Sequence, residues 1–176
     1  MKKSNPKSAT ALAKKLVTLA ASRGVTVSGA ESCTGGLCAK LITDIPGSSA
    51  VFYGACVTYT NEVKKTLLGV DPTVIEEHTE VSFACAEAMA SGAGRTIGTN
   101  LAYSTTGYAG PGGGTERDPV GTVYVGIADE CGVKSYRLSL PQNATRTQIR
   151  NATAAFVLER LIENRDADEQ IQNETA

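Results

Sequence analysis

Apolar positions along the chain follow two rhythms. Over residues 8–23, Leu12, Leu16 and Leu19 recur at helical spacing among alanines, and Gly24 supplies a stop. Residues 145–163 repeat that rhythm through Ile149, Ala152, Phe156, Leu158, Leu161 and Ile162, which predicts a long C-terminal helix before a polar, fraying end. Helices are also predicted over 35–44, on Leu37, Leu41 and Ile42, and over 81–97, on Ala84, Ala88 and Met89. Two shorter helices are marked by their starts: 61–69 with Thr60 or Asn61 as cap, and one opening at Asp71-Pro72. The second rhythm consists of β-former runs at 25–28, 51–59, 101–106, 120–128 and 133–140. The last two are joined across Asp129-Glu-Cys-Gly132 as a hairpin.

Alternating strands and helices predict an α/β fold, a single-domain three-layer α/β/α sandwich, and the hairpin makes its sheet mixed. The domain is expected over residues 8–165, with flexible ends at 1–7 and 166–176. At 176 residues, such a domain buries roughly two thirds of its unfolded surface without metals or disulfides. Seventeen basic residues against 18 acidic ones give a net charge of −1, so nucleic acid and anionic membranes are not expected partners. Cysteines 33, 38, 56, 85 and 131 form no C-x-x-C pair and His78 is the sole histidine, which argues against zinc. Unpaired thiols fit a reducing cytoplasm. Without a signal-peptide pattern or a membrane-length apolar run, a soluble cytoplasmic protein is expected.

Candidate chemistry centres on Ala30-Glu-Ser-Cys-Thr-Gly-Gly36, a small-residue turn between a strand and a helix, where open α/β sheets bind ligands. Ser32 in such a turn serves as a helix cap, an anion contact or a nucleophile. A nucleophile needs a base, and His78 among Glu76, Glu77 and Glu80 reads as a surface histidine. Lysine is the remaining candidate. Lys64 and Lys65 fit a solvated helix face equally well, and Lys64 acts as base only if burial or a nearby cation lowers its pKa. Tyr59 is either structural or a proton relay. The glycine-rich segment 107–115 is a mobile turn or an anion-binding loop, but not a P-loop. Arg146 and Arg150, four apart, either bracket a phosphate or lie on the surface. Cys33 and Cys38 read as small buried groups.

Six motifs in order carry a resemblance over nearly the whole chain: Ala30-Glu-Ser-Cys-Thr-Gly-Gly36, Pro46-Gly-Ser-Ser49, Val57-Thr-Tyr-Thr-Asn-Glu-Val-Lys64, Leu68-Gly-Val70, Gly110-Pro-Gly-Gly113 and Pro119-Val-Gly-Thr-Val123. Together they resemble the CinA C-terminal-domain family, whose characterised activity is deamidation of nicotinamide mononucleotide in pyridine nucleotide salvage. The chain is expected to be the stand-alone form. The resemblance implies a serine and lysine amidohydrolase with Ser32 as nucleophile, Lys64 as base, and Tyr59 and Thr34 at nearby active-site positions. Backbone N–H groups of Thr34, Gly35 and Gly36 are then expected to hold the oxyanion. The backbone at Gly110, Gly112 and Gly113 is expected to bind the nucleotide with Arg146 and, more weakly, Arg150. No metal or cofactor is implied, and a homo-oligomer, with a dimer favoured, is expected. A non-catalytic nucleotide- or partner-binding protein linked to competence or DNA damage, and a deamidase for a related amide, are the competing readings. Two departures stand out: Thr79-Glu-Val-Ser82 where the family commonly has Gly-Ala-Val-Ser, and Tyr108 where isoleucine is more frequent. The first is expected near a subunit contact or the pocket rim, and the larger Tyr108 is expected to narrow or reshape the pocket.

Overall fold

A computed structural model describes the backbone over residues 8–174 and the side chains through Asn164. The expected flexible segment 1–7 and the final residues 175–176 lie outside the described residues, as do the side chains of 165–174.

Helix α1 (Ala9–Ser22) starts where the Ser8 hydroxyl accepts the Ala11 N–H, and it buries the stripe Leu12, Ala13, Leu16, Val17 and Ala20. Strand β1 (Val27–Glu31) follows. It runs three residues beyond the expected 25–28 because Glu31, polar in sequence, is buried with hydrogen-bond partners of its own. Helix α2 (Leu37–Thr43) and a 3-10 turn (Ser48–Ala50) lead to strand β2 (Phe52–Val57). Three helices come next: α3 (Asn61–Leu68), α4 (Pro72–His78) and α5 (Phe83–Ile97). Thr60, Asp71 and Ser82 cap them through their side chains. Strand β3 (Leu101–Gly107) precedes the hairpin of β4 (Thr122–Asp129) and β5 (Gly132–Ser139). Helix α6 (Arg146–Glu174) closes the chain and extends well past the expected end at residue 163.

The sheet order is β2-β1-β3-β4-β5, with β1 parallel to β2 and β3, and the β3–β4 and β4–β5 pairs antiparallel. The α/β fold with a mixed sheet is therefore observed. Helices α1, α2 and α6 pack over one face, around Leu16, Val27, Tyr103, Ile149, Leu158 and Leu161. Helix α5, with α3 and α4 against it, covers the other face around Ala30, Leu68, Met89 and Ala102. Gly29 is obligatory at the centre of β1: the Tyr103 ring crosses it so closely that a Cβ would stand 2.2 Å from the ring. Among the described residues no helix is long and apolar enough to cross a membrane.

Order 2-1-3 means that the connection leaving β1 and the connection leaving β2 diverge onto opposite faces. A crevice opens at the carboxyl ends of β1 and β3, the topological switch point where such sheets bind ligands.

Candidate active site

The crevice begins with Glu31, the last residue of β1, whose carboxylate is fully buried. It accepts N–H bonds from Gly36 (2.8 Å), Cys38 (3.2 Å) and Ala39 (2.8 Å), and the Tyr103 hydroxyl at 2.8 Å. A strand carboxylate thus satisfies the open N–H groups of the first turn of α2. Burial, followed by the Glu31 carboxylate that accepts its hydroxyl, holds the Tyr103 phenol well above its usual range, so it remains a donor. Sequence reasoning missed Glu31. The available signal was an acid at the end of an apolar strand, five residues before Gly36, the cap position of a helix that lacks a Ser, Thr, Asp or Asn there.

Ser32 is fixed next to this anchor. Its N–H donates to the Thr105 carbonyl at 3.0 Å, which continues the β1–β3 pairing by one residue and holds the side chain in the crevice. Gly35 and Gly36 have φ of 59° and 90°, so the turn into α2 needs residues without a Cβ penalty.

Lys64 comes from α3 and is 1% exposed. Its Nζ donates to Ser32 Oγ at 3.3 Å and to the Thr58 carbonyl at 3.0 Å. The solvated-face alternative is therefore overturned for Lys64 and holds for Lys65, which is partly exposed and paired with Glu62 at 2.7 Å. Burial lowers the Lys64 pKa from its ordinary 10.5; the anionic forms of Cys85, Glu80 and Cys33 would oppose this. Burial pushes the Cys85 thiol up to about 11 and the Cys33 thiol up to about 12, so of those three only the Glu80 carboxylate counts near neutrality. The same burial leaves Cys33 a poor nucleophile beside Ser32.

Tyr59 lies beyond the end of β2 rather than in the expected strand, and is 60% exposed. Its hydroxyl accepts from Arg146 Nη2 at 3.0 Å, while Arg146 Nη1 donates to the Gly110 carbonyl at 2.7 Å. The remaining guanidinium donors are left for a ligand. A cleft of about 160 Å³ joins Ser32, Cys33, Tyr59, Lys64, Glu80, Val81, Thr106, Gly107, Tyr108, Ala109 and Arg146. The larger cavity, about 480 Å³ near Arg95, Asn100 and Asp129 at the opposite end of β3, brings no serine to a lysine.

Several sequence-predicted contacts are corrected by this geometry. Gly35 N–H already donates to the Ser32 carbonyl (3.2 Å) and Gly36 N–H to Glu31 (2.8 Å), so neither is available to an oxyanion. The Thr34 side chain is buried against Thr105, at 2.7 Å between hydroxyls, and only its N–H is left without an acceptor among the described residues. Arg150 does not pair with Arg146 around a phosphate. It spends Nε (3.2 Å) and Nη2 (2.6 Å) on the Thr34 carbonyl and ties α6 to the Ser32 turn. Gly110 contributes by holding Arg146, whereas Gly112 and Gly113 sit on the exposed part of the loop, outside the cleft. His78 is a surface residue 3.9 Å from Glu77. Both departures fall at the site: Glu80 and Tyr108 line the cleft, and Thr79 holds a φ of 70° that glycine adopts more readily.

Residues 9–164 match the CinA C-terminal domain family. A CinA-like protein of Geobacter sulfurreducens is 52% identical over 127 residues, 71% of this chain and 31% of that protein. The protein named nicotinamide-nucleotide amidohydrolase PncC, from Shewanella oneidensis, is 43% identical over 138 residues, 78% of this chain and 32% of that protein. The chain spans about a third of the length of the curated relatives it matches. Among solved structures, the competence/damage inducible protein CihA from Agrobacterium tumefaciens has a TM-score of 0.86 and 40% identity, covering 92% of this chain and 98% of that one. A CinA superfamily protein from Klebsiella pneumoniae has a TM-score of 0.87 at 26% identity, covering 92% and 99%.

Proposed function

Because the chain belongs to the CinA C-terminal domain family, we propose that it is a serine and lysine amidohydrolase that converts nicotinamide mononucleotide to nicotinic acid mononucleotide and ammonia. The observation that carries this reading is a buried amine, Lys64 Nζ, 3.3 Å from the hydroxyl of Ser32 in a crevice at the sheet's switch point. The relative named as a nicotinamide-nucleotide amidohydrolase supports the choice of amide.

In the neutral form of Lys64, one N–H donates to the Thr58 carbonyl and the lone pair faces Ser32. Lys64 then takes the Ser32 proton as Oγ attacks the carboxamide carbon. The N–H groups of Cys33 and Thr34 are the main-chain donors left beside Ser32 for the developing oxyanion, and one well-placed donor is worth about 3–4 kcal/mol. As the C–N bond breaks, protonated Lys64 delivers its proton to the leaving ammonia. Lys64 next deprotonates a water that attacks the acyl-enzyme, and returns that proton to Ser32 as the acid leaves. Tyr59 and Gly110 hold Arg146 toward the substrate phosphate, so Tyr59 acts as a positioning residue.

Ammonia release from nicotinamide mononucleotide by the purified protein tests this reading. Turnover is expected to fall by about a thousandfold or more in both Ser32→Ala and Lys64→Ala. Ammonia release that survives Ser32→Ala, or binding of the mononucleotide without hydrolysis by the unaltered chain, would sink the assignment, and the second outcome would favour a nucleotide-binding protein.

A further inference from the structure

Pockets that enclose a whole drug-sized ligand measure roughly 300–1,000 Å³. The Ser32 cleft, at about 160 Å³, takes the ring end of a nucleotide amide and leaves the ribose and phosphate toward its mouth. Three charged side chains line it, and two are committed. Lys64 bonds to Ser32 and Thr58, and Arg146 to Tyr59 and Gly110. Glu80 is half-buried, and its carboxylate makes no hydrogen bond or ion pair among the described residues. Desolvating a carboxylate without a partner is unfavourable.

The main chain nevertheless holds Glu80 there. Thr106 Oγ1 donates to the Glu80 carbonyl at 2.6 Å, and Ser82 Oγ to the Thr79 carbonyl at 3.0 Å. Thr79, immediately before it, takes φ 70° and ψ 165°, a conformation unfavourable for a β-branched residue that persists only where its surroundings enforce it. A carboxylate near Lys64 also favours the protonated amine, against the needs of a base. A positive charge arriving with the substrate would offset that effect. In a nicotinamide nucleotide the glycosidic bond quaternises the ring nitrogen, so the ring entering the cleft is a cation.

We propose that Glu80 sets the charge preference of the cleft, its carboxylate serving as the counter-ion of a pyridinium ring so that amides of cationic rings are favoured over neutral isosteres. The inference rests on the nucleotide-amide reading above and adds a specificity residue to it.

The test is calorimetric binding to Ser32→Ala protein, with and without Glu80→Gln, of two ligands. One is nicotinamide mononucleotide; the other is its 1,4-dihydro form, which keeps the amide, ribose and phosphate but has a neutral ring. Glu80→Gln is expected to weaken the cationic ligand about tenfold and to change the neutral one by less than about twofold. Glu80→Asp, which keeps the charge, is expected to retain the preference for the cation. Equal losses for both ligands, no loss for either, or failure of both to bind at millimolar concentration overturns the proposal. Ammonia release by protein retaining Ser32 is measured separately and decides the deamidase reading whatever the binding shows. Thermal melts of each variant verify that the fold is kept.

Discussion

Lys64 gives up its hydration beside Ser32, and that has a thermodynamic sign. Its pKa is depressed in the folded chain relative to 10.5, so between the two values the unfolded chain binds a proton that the folded chain does not. Stability therefore rises with pH across that window. The cost of burying the amine is fully present below the folded pKa and is gone above the unfolded one. Lys64→Met is accordingly expected to abolish turnover while stabilising the fold near neutrality by about 1 kcal/mol, roughly 2–4 °C in Tm for a chain of this size. The gain should shrink as the pH approaches 10. Activity of the unaltered chain should rise with pH along its acidic limb as Lys64 loses its proton. Melting curves and kcat/KM across pH check both, and a Lys64→Met protein that melts lower at every pH would contradict the buried base. None of this was visible in the spacing of Lys64 and Lys65, because adjacent lysines on a short helix differ only in which one tertiary packing turns inward. Glu80 was legible only through the resemblance, as part of the Thr79–Ser82 departure expected at a pocket rim or subunit contact; by its neighbours Glu76, Glu77 and His78 alone it reads as surface charge.

At the scale of elements, local signals were legible and long-range ones were not. Caps at Thr60 and Asp71, the turn at Gly132 and the periodicity of α1 and α5 depend on neighbours within a few residues. The end of β1 does not, because Glu31 becomes a strand residue only when Tyr103 and the first turn of α2 arrive to satisfy it. Arg150 was misjudged because its role depends on reaching a carbonyl 116 residues away. Glu31 ties β1, α2 and β3 together, and a prediction follows from its chemistry. Glu31→Gln keeps the shape but sets an NH₂ donor against groups that donate, leaving at least one without an acceptor at a cost of about 1–3 kcal/mol. Tm is expected to drop, and kcat to fall with little change in KM, since Ser32 moves while Arg146 does not. An unchanged Tm would show that the four bonds to Glu31 contribute nothing net.

At the scale of the molecule, alternating elements and a hairpin made the three-layer mixed sheet legible, but the order β2-β1-β3 was not, because it rests on pairings such as Val27 with Leu101. That order leaves β2 as an edge with Tyr53 57% and Val57 50% exposed, continued by Tyr59 and by Leu67 on α3. An uncovered strand edge with apolar side chains invites a second chain. A homodimer is expected, read as a sedimentation mass twice the 18.3 kDa of the chain and lost on Tyr53→Lys with Val57→Lys; a concentration-independent monomer would count against it.

The same strand order also imposes a timetable. Ser32 follows the first strand, Lys64 the second, Thr106 lies in the third, and Arg146 opens the last helix. In a chain still being made, or one that has partly come apart, Lys64 is in water, has an ordinary lysine pKa and carries a proton. Ser32 then has no base. Under the proposed mechanism, the serine is thus switched on by the completion of folding itself, and a nascent or damaged copy is chemically silent without any inhibitor to keep it so.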